Sequence, residues 1–216
     1  MRRIVLALAA IALACQHGGS PASRDADATD PAFVLPGTFS EETTVADLET
    51  RFGAAHVKRG TEPDGAGGTA RVLLLFPDDP TRRATVRFHG GDLSGRLASI
   101  TVTEPASRWR GKHGVQVGTS LAELREKNGR AFYFTGFDAG GGGRVRDAWD
   151  VGALDVVEGE RLYFGVDLRL RDPGSGVARP GEYEQVSSDD PAYAHLGALV
   201  EVSAIVAWSS LDDEWS

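Results

Sequence analysis

Four consecutive glycines, Gly140 to Gly143, follow Phe137-Asp138-Ala139 and lead into Arg144-Val145-Arg146. Runs of this kind can wrap backbone N–H groups around a phosphate, but the arrangement needs Gly-x-x-x-x-Gly-Lys-Ser/Thr running from a strand into a helix. No Lys-Ser/Thr follows here and the next residues read as extended, which predicts a flexible strand-to-strand loop. The histidines, His17, His56, His89, His113 and His195, are never three or four apart, the spacing that puts two imidazoles on one helical face. No metal site and no cofactor are therefore expected. The acidic pairs Asp78-Asp79, Asp189-Asp190 and Asp212-Asp213 lie beside proline or near the end of the sequence, where aspartate serves turns. Asp172-Pro173-Gly174-Ser175-Gly176 reads as a turn, and Gly174-Ser175-Gly176 lacks the Gly-x-Ser-x-Gly spacing of a nucleophile elbow.

The first residues have a different chemistry. Arg2 and Arg3 form a positive region, and Ile4 to Ala14 are apolar, the layout of an export signal over residues 1–14. That stretch is too short to span a bilayer, which takes about 20 apolar residues. Ile11-Ala12-Leu13-Ala14 runs directly into Cys15, the single cysteine of the chain. The segment resembles a bacterial lipobox, with Ala12 where leucine is more usual. The resemblance implies that Cys15 is lipidated and becomes the mature N-terminus. Ala12-Leu13-Ala14 also satisfies the small-x-small rule of an ordinary secretory signal, so both cleavages stay open. A diacyl or triacyl cysteine supplies the two or more chains that stable anchoring requires. Under the lipobox reading Gln16, which is not the aspartate that favours inner-membrane retention, implies the outer membrane. With Cys15 lipidated, no thiol is left for disulfides, zinc or catalysis.

Charge excludes another class. There are 23 basic and 31 acidic residues, a net charge of −8, and without Arg2 and Arg3 the balance is 21 to 31, or −10. Phosphate backbones need a basic face, and the basic residues here are scattered, so nucleic acid is not an expected partner.

Residues 15–38 are rich in Gly, Ser, Pro, Ala and Asp and cannot bury enough surface to offset their ordering entropy. They read as a tether, with Phe33 to Leu35 an apolar island able to dock as a short edge strand, and folding is predicted to begin near Phe39. Beyond it the chain repeats. Thr44-Val45-Ala46-Asp47-Leu48-Glu49-Thr50-Arg51-Phe52-Gly53 aligns without a gap on Ser120-Leu121-Ala122-Glu123-Leu124-Arg125-Glu126-Lys127-Asn128-Gly129, and the same offset sets Asp64-Gly65-Ala66-Gly67 on Gly140 to Gly143. Ser120 with Glu123 forms a capping box, Thr44 with Asp47 a weaker one because the aspartate is shorter. Leu121 and Leu124, like Val45 and Leu48, share a helical face, and Gly129 and Gly53 supply left-handed stops. Helices of two to three turns need a sheet for support. Strands are predicted at 71–76, 84–89, 97–103, 131–134, 145–149, 161–170 and 198–208.

A Gly-Thr-Ser opening, as in Val117-Gly118-Thr119-Ser120-Leu121-Ala122-Glu123-Leu124, then a short helix, a terminal glycine and antiparallel strands resembles the module of small outer-membrane lipoproteins of the SmpA/OmlA (BamE) type. Two such modules in tandem resemble the β-lactamase inhibitor protein. The implied fold is α+β: residues 39–106 form a first helix-plus-antiparallel-sheet module, and residues 107–216 a second with an insertion at 171–197. The comparison implies a binding or assembly module without catalysis.

Binding energy concentrates in Trp, Tyr and Arg. The candidates are Trp109 between Arg108 and Arg110, Phe137, Trp149 and Tyr183; Phe137 and Trp149 suit a core equally, whereas Trp109, in the polar connection between repeats, is expected to be exposed. The expected function is a lipid-anchored envelope module that binds a protein or envelope component. The alternative is an envelope hydrolase that uses an acidic pair on a glycan or peptide.

Overall fold

The computed structural model describes residues 30–63, 67–137, 142–146 and 148–210. The export signal 1–14, Cys15, most of the tether, Asp64-Gly65-Ala66, Gly140, Gly141 and Asp212-Asp213 lie outside the described residues. The fold is α+β: nine antiparallel strands in one sheet, with a few short helices.

Helix α1 (Val45–Phe52) precedes strands β1 (Val57–Pro63), β2 (Thr69–Leu75), β3 (Ala84–Phe88) and β4 (Leu97–Val102). Helix α2 (Leu121–Asn128) precedes β5 (Tyr133–Thr135), β6 (Gly142–Val145), β7 (Tyr163–Leu170), β8 (Gln185–Ser187), the single turn α3 (Leu196–Leu199) and β9 (Val200–Trp208). Across the sheet the order is β1-β2-β3-β4-β9-β7-β6-β5-β8. The four strands after α1 thus run inward from one edge to the centre, and β5, β6, β7 and β9 run inward from the other side. The predicted insertion, residues 171–197, places β8 on the far edge beside β5. No helix among the described residues is long and apolar enough to cross a membrane.

Both helices start as the spacing predicts. Ser120 Oγ accepts the Glu123 N–H at 3.2 Å while Glu123 Oε2 accepts the Ser120 N–H at 2.8 Å. Thr44 and Asp47 do the same at 3.2 and 2.9 Å, so the shorter side chain reaches its partner and the expected weakness is absent. The stops differ. Gly129 is left-handed (φ 75, ψ −2), whereas Gly53 pairs a positive φ of 85 with an extended ψ of 132 and turns the chain into a 3₁₀ segment, Ala54–His56.

Alternation along the strands sends one set of side chains under the helices. Leu73, Leu75, Val86, Ile100, Phe164, Val166, Leu168, Ile205 and Ala207 join Leu48, Phe52, Leu121 and Leu124 in one apolar core. It holds two aromatic groups. Phe33, Phe39 and Phe52 surround Trp109, with Phe76 packed against Phe33 and Phe52, and Phe132 and Phe164 flank Trp149.

The tether boundary at residue 38 needs correcting. Phe33, Leu35 and Phe39 are core residues, so the packed unit already includes residues 33–39. Two interactions account for this. Arg51 donates to Thr38 Oγ1 and to the Pro31 carbonyl and lies 4.2 Å above the Phe39 ring. Val34 pairs in parallel with Arg110, flanked by Leu35 N–H to Arg110 O and Arg110 N–H to Phe33 O at 2.8 and 2.9 Å. The island therefore docks on the connection between the two halves and not on a sheet edge.

The glycine run also needs revision, because Gly142 and Gly143 belong to β6 and are not a loop. A Cβ on Gly143 would meet Thr135 O at 2.8 Å, so the glycine permits β5 and β6 to approach beside the turn.

Candidate functional site

The structure scatters the candidate binding residues. Trp109 is 0% exposed, contrary to the expectation from its polar surroundings. Its indole N–H donates to the Arg82 carbonyl at 2.8 Å and its ring packs edge-on to Phe33 at 5.2 Å, so the flanking arginines enclose a core residue. Arg110 donates to the carbonyls of Ser107 and Trp109, and Arg108 gives its backbone N–H to Thr81 O. Both arginines are half-buried parts of the joint. Trp149 is 1% exposed, bonds Phe164 O and stacks on Phe164, and Phe137 is buried against Phe134. Of the six, Tyr183 alone is well exposed, at 90%, on the 171–197 segment whose Gly181 bridges to the buried Phe137.

The acidic pairs among the described residues serve turns. Asp79 accepts from Thr81 and Arg82, which hold its pKa down to about 2. Asp190 caps the 3₁₀ turn Pro191–Tyr193 through the Ala192 N–H, and Asp189 accepts from Ser187. Among the described residues, no group of three or more His, Cys, Asp or Glu is placed to hold a metal ion. One contact has the length of a nucleophile–base pair: His89 Nε2 lies 2.6 Å from Ser209 Oγ. A nucleophile must meet its substrate, and Ser209 is 1% exposed, so the contact ties β3 to the end of β9 as a structural bond.

The sheet face opposite the helices carries the constellation that sequence reasoning passed over. Trp208 on β9 pairs across to Tyr163 on β7 in one direction and Ser99 on β4 in the other, at the join of the two halves. The Tyr163 and Trp208 rings stack, with centroids 5.6 Å apart and planes at 21°. Arg146 sits 5.4 Å from the Trp208 ring and donates to Asp167 Oδ1 at 2.7 Å and to Val166 O at 2.9 Å. Desolvation pushes the Arg146 pKa down, partly offset by Asp167, and a guanidinium remains charged throughout the physiological range.

Gly165 makes the arrangement possible. A Cβ there would lie 2.6 Å from the indole and 2.5 Å from Val145 O, so Trp208 rests across bare backbone. The signal for Tyr163 was present, since Tyr163, Gly165 and Asp167 alternate with Phe164, Val166 and Leu168. For Trp208 it was masked, because Val206 and Ala204 in the same phase are as apolar as Ile205 and Ala207 in the other.

These features define a class: an α+β protein whose nine-stranded antiparallel sheet is covered by helices on one side and carries a half-exposed Trp–Tyr–Arg cluster on the other. Comparison with protein-family models, curated proteins and solved structures finds no match to the chain.

Proposed function

We propose that the chain is a lipid-anchored, non-catalytic interaction module of the cell envelope, facing the periplasm or cell surface, and that it binds an envelope protein or other envelope component over the open face of its sheet. The observation that carries this reading is the Tyr163–Trp208 stack with Arg146, set at the middle of the sheet on the side away from the helices. Large aromatic groups with a polar handle, half-exposed and held rigidly, are what protein interfaces use as anchors.

We also read the fold as two tandem modules like those of the SmpA/OmlA-type lipoproteins, joined as in the β-lactamase inhibitor protein. In support, two capped eight-residue helices each precede an antiparallel meander, and the strand orders mirror each other about β4 and β9.

A photo-crosslinking residue at Thr101, which neighbours the cluster across β4 and β9, tests the face. A discrete crosslinked product is expected from intact envelopes, and Trp208→Ala should weaken the interaction at least about 30-fold, the effect of a hot-spot residue. If Thr101 yields no product while the same probe at Tyr183 does, the open face is the wrong surface. For the anchor, Cys15→Ser should abolish fatty-acid labelling and release the protein from membranes; an unchanged membrane fraction would refute lipidation.

A further inference from the structure

We infer that β1 is a docking edge that takes up an extended acidic peptide segment as a tenth strand, its carboxylates seated between Arg59 and Arg71. Among the described residues β1 pairs with β2 and with no other strand, which leaves the backbone N–H and C=O groups along its outer side available for a further ladder. Beside it, on the helix side of the sheet, runs a groove of about 860 Å³ between Val45 of α1, the Asp92–Ser94 turn and the side chains of Arg59, Thr61 and Arg71. Gly60 also lines the groove, so it reaches the β1 backbone itself.

The two arginines in this groove are not bound to a carboxylate, although Arg71 is near enough to Asp92 to help hold its pKa down, behind the hydrogen bonds from Ser94. Arg82, Arg83, Arg87, Arg146 and Arg169 each bind a carboxylate. Arg59 and Arg71 are exposed and make no hydrogen bond or ion pair among the described residues, in a chain of net charge −8. Asp92, the nearest acid in the lining, commits its carboxylate to the N–H and hydroxyl of Ser94 at 2.7 and 2.6 Å. Thr61 stands opposite Arg71, and Arg59 is two residues from Thr61 on the same side, which makes the guanidiniums diagonal neighbours. Diagonal cross-strand positions lie about 7–8 Å apart, close to the spacing of alternate side chains in an added strand.

Lysine and arginine on an edge strand also serve as a defence against edge-to-edge pairing. Here the two roles agree. A second copy paired antiparallel about Gly60 would bring two Arg59 and two Arg71 side chains onto one face, and Glu62, the acid that would meet the copy's Lys58, already accepts from Arg87 and Thr85. The cationic edge therefore repels its own kind and selects an acidic strand.

The test is fluorescence anisotropy with the full chain and a labelled peptide alternating Glu and Thr, beside the same peptide with Gln for Glu. The Glu peptide should bind at least about tenfold more tightly, with an affinity that falls as salt rises. Arg59→Gln with Arg71→Gln, both at exposed sites, should remove that preference without altering the melting temperature. Hydrogen exchange of the β1 amides should slow when the peptide binds. Three results would overturn the inference: equal binding of the two peptides, binding indifferent to the arginine substitutions, or binding without protection of β1, the last leaving a simple anion site that glutarate would fill as well. Trp208→Ala should leave this binding unchanged, which separates the edge from the open face.

Discussion

Trp109→Ala is expected to lower the unfolding free energy by about 4 kcal/mol, within the range for truncating a buried aromatic residue. Three contributions lead there. The side chain is fully buried, so the substitution leaves a cavity among Phe33, Phe39 and Phe52, whose centroids lie 5.2 to 6.1 Å from the indole. The Arg82 carbonyl loses its donor in a region with little water to replace it. The Val34–Arg110 pairing, next to Trp109 in the chain, loses its support, and with it the docking of residues 33–39. Since whole domains are stable by about 5–15 kcal/mol, the loss is a large share of the total. Urea denaturation measures it as a lower midpoint at unchanged slope. Tyr183→Ala, at an exposed position, should stay within about 0.5 kcal/mol of the parent. If the two variants behaved alike, the burial of Trp109 would be wrong.

The second large effect is expected at Asn128. It ends α2 as Phe52 ends α1, yet the two residues are held by different means. Phe52 packs in an aromatic cluster. Asn128, 2% exposed, donates from Nδ2 to Trp149 O at 2.9 Å and to Arg130 O at 3.2 Å, and accepts the Leu154 N–H at 3.1 Å through Oδ1. Its backbone carbonyl accepts from Ala153 as well. These bonds hold a turn in which Asp150 and Val151 both adopt positive φ, 56 and 58, a conformation that a β-branched residue enters only under constraint.

Asn128→Ala should cost about 3 kcal/mol, the sum of leaving two or more buried polar groups unpaired. A coupling test is specific to this geometry. A Cβ on Gly152 would lie 2.1 Å from the Asn128 amide, so Gly152→Ala alone should cost at least about 2 kcal/mol but very little in the Asn128→Ala background. Strict additivity in that double-mutant cycle would show that the amide does not fill the space over Gly152.

These residues also show what the chain discloses before folding. Both helices were legible to within a residue, because a cap at Thr44 or Ser120 and a glycine at position 53 or 129 are local signals. Strands β2, β3, β4, β7 and β9 were legible because each buries at least one face in apolar side chains. β1 was not. Val-Lys-Arg-Gly-Thr-Glu-Pro has the composition of a loop, and its extended form comes from pairing with β2. β6 was hidden for a related reason, since the glycines that read as a break serve close approach to Thr135.

The candidate site was less legible than the fold. Trp109 sits among arginines and a proline in sequence but among phenylalanines in space, and its three ring neighbours, Phe33, Phe39 and Phe52, are all supplied from more than 50 residues away. Exposure depends on such distant contacts, which no local pattern encodes. Tyr163 and Trp208 meet through a pairing of β7 with β9 that no spacing in the chain announces.

That central placement of β9 has a kinetic consequence. It pairs with β7 on one side and with β4 on the other, where Ser99 meets Trp208 after about 100 intervening residues. Contacts so remote in sequence incur their loop-closure entropy before they return any stability, and chains rich in them fold slowly. As the chain emerges into the compartment where it folds, β1 to β4 come first, and the inner edge of β4 stays open until β9 follows. For that interval Ser99–Val102, though held by β3 on one side, presents an open edge at risk of joining another incompletely folded chain. A chaperone that shields β4 until β9 has followed would therefore raise the yield of folded protein without touching the finished structure.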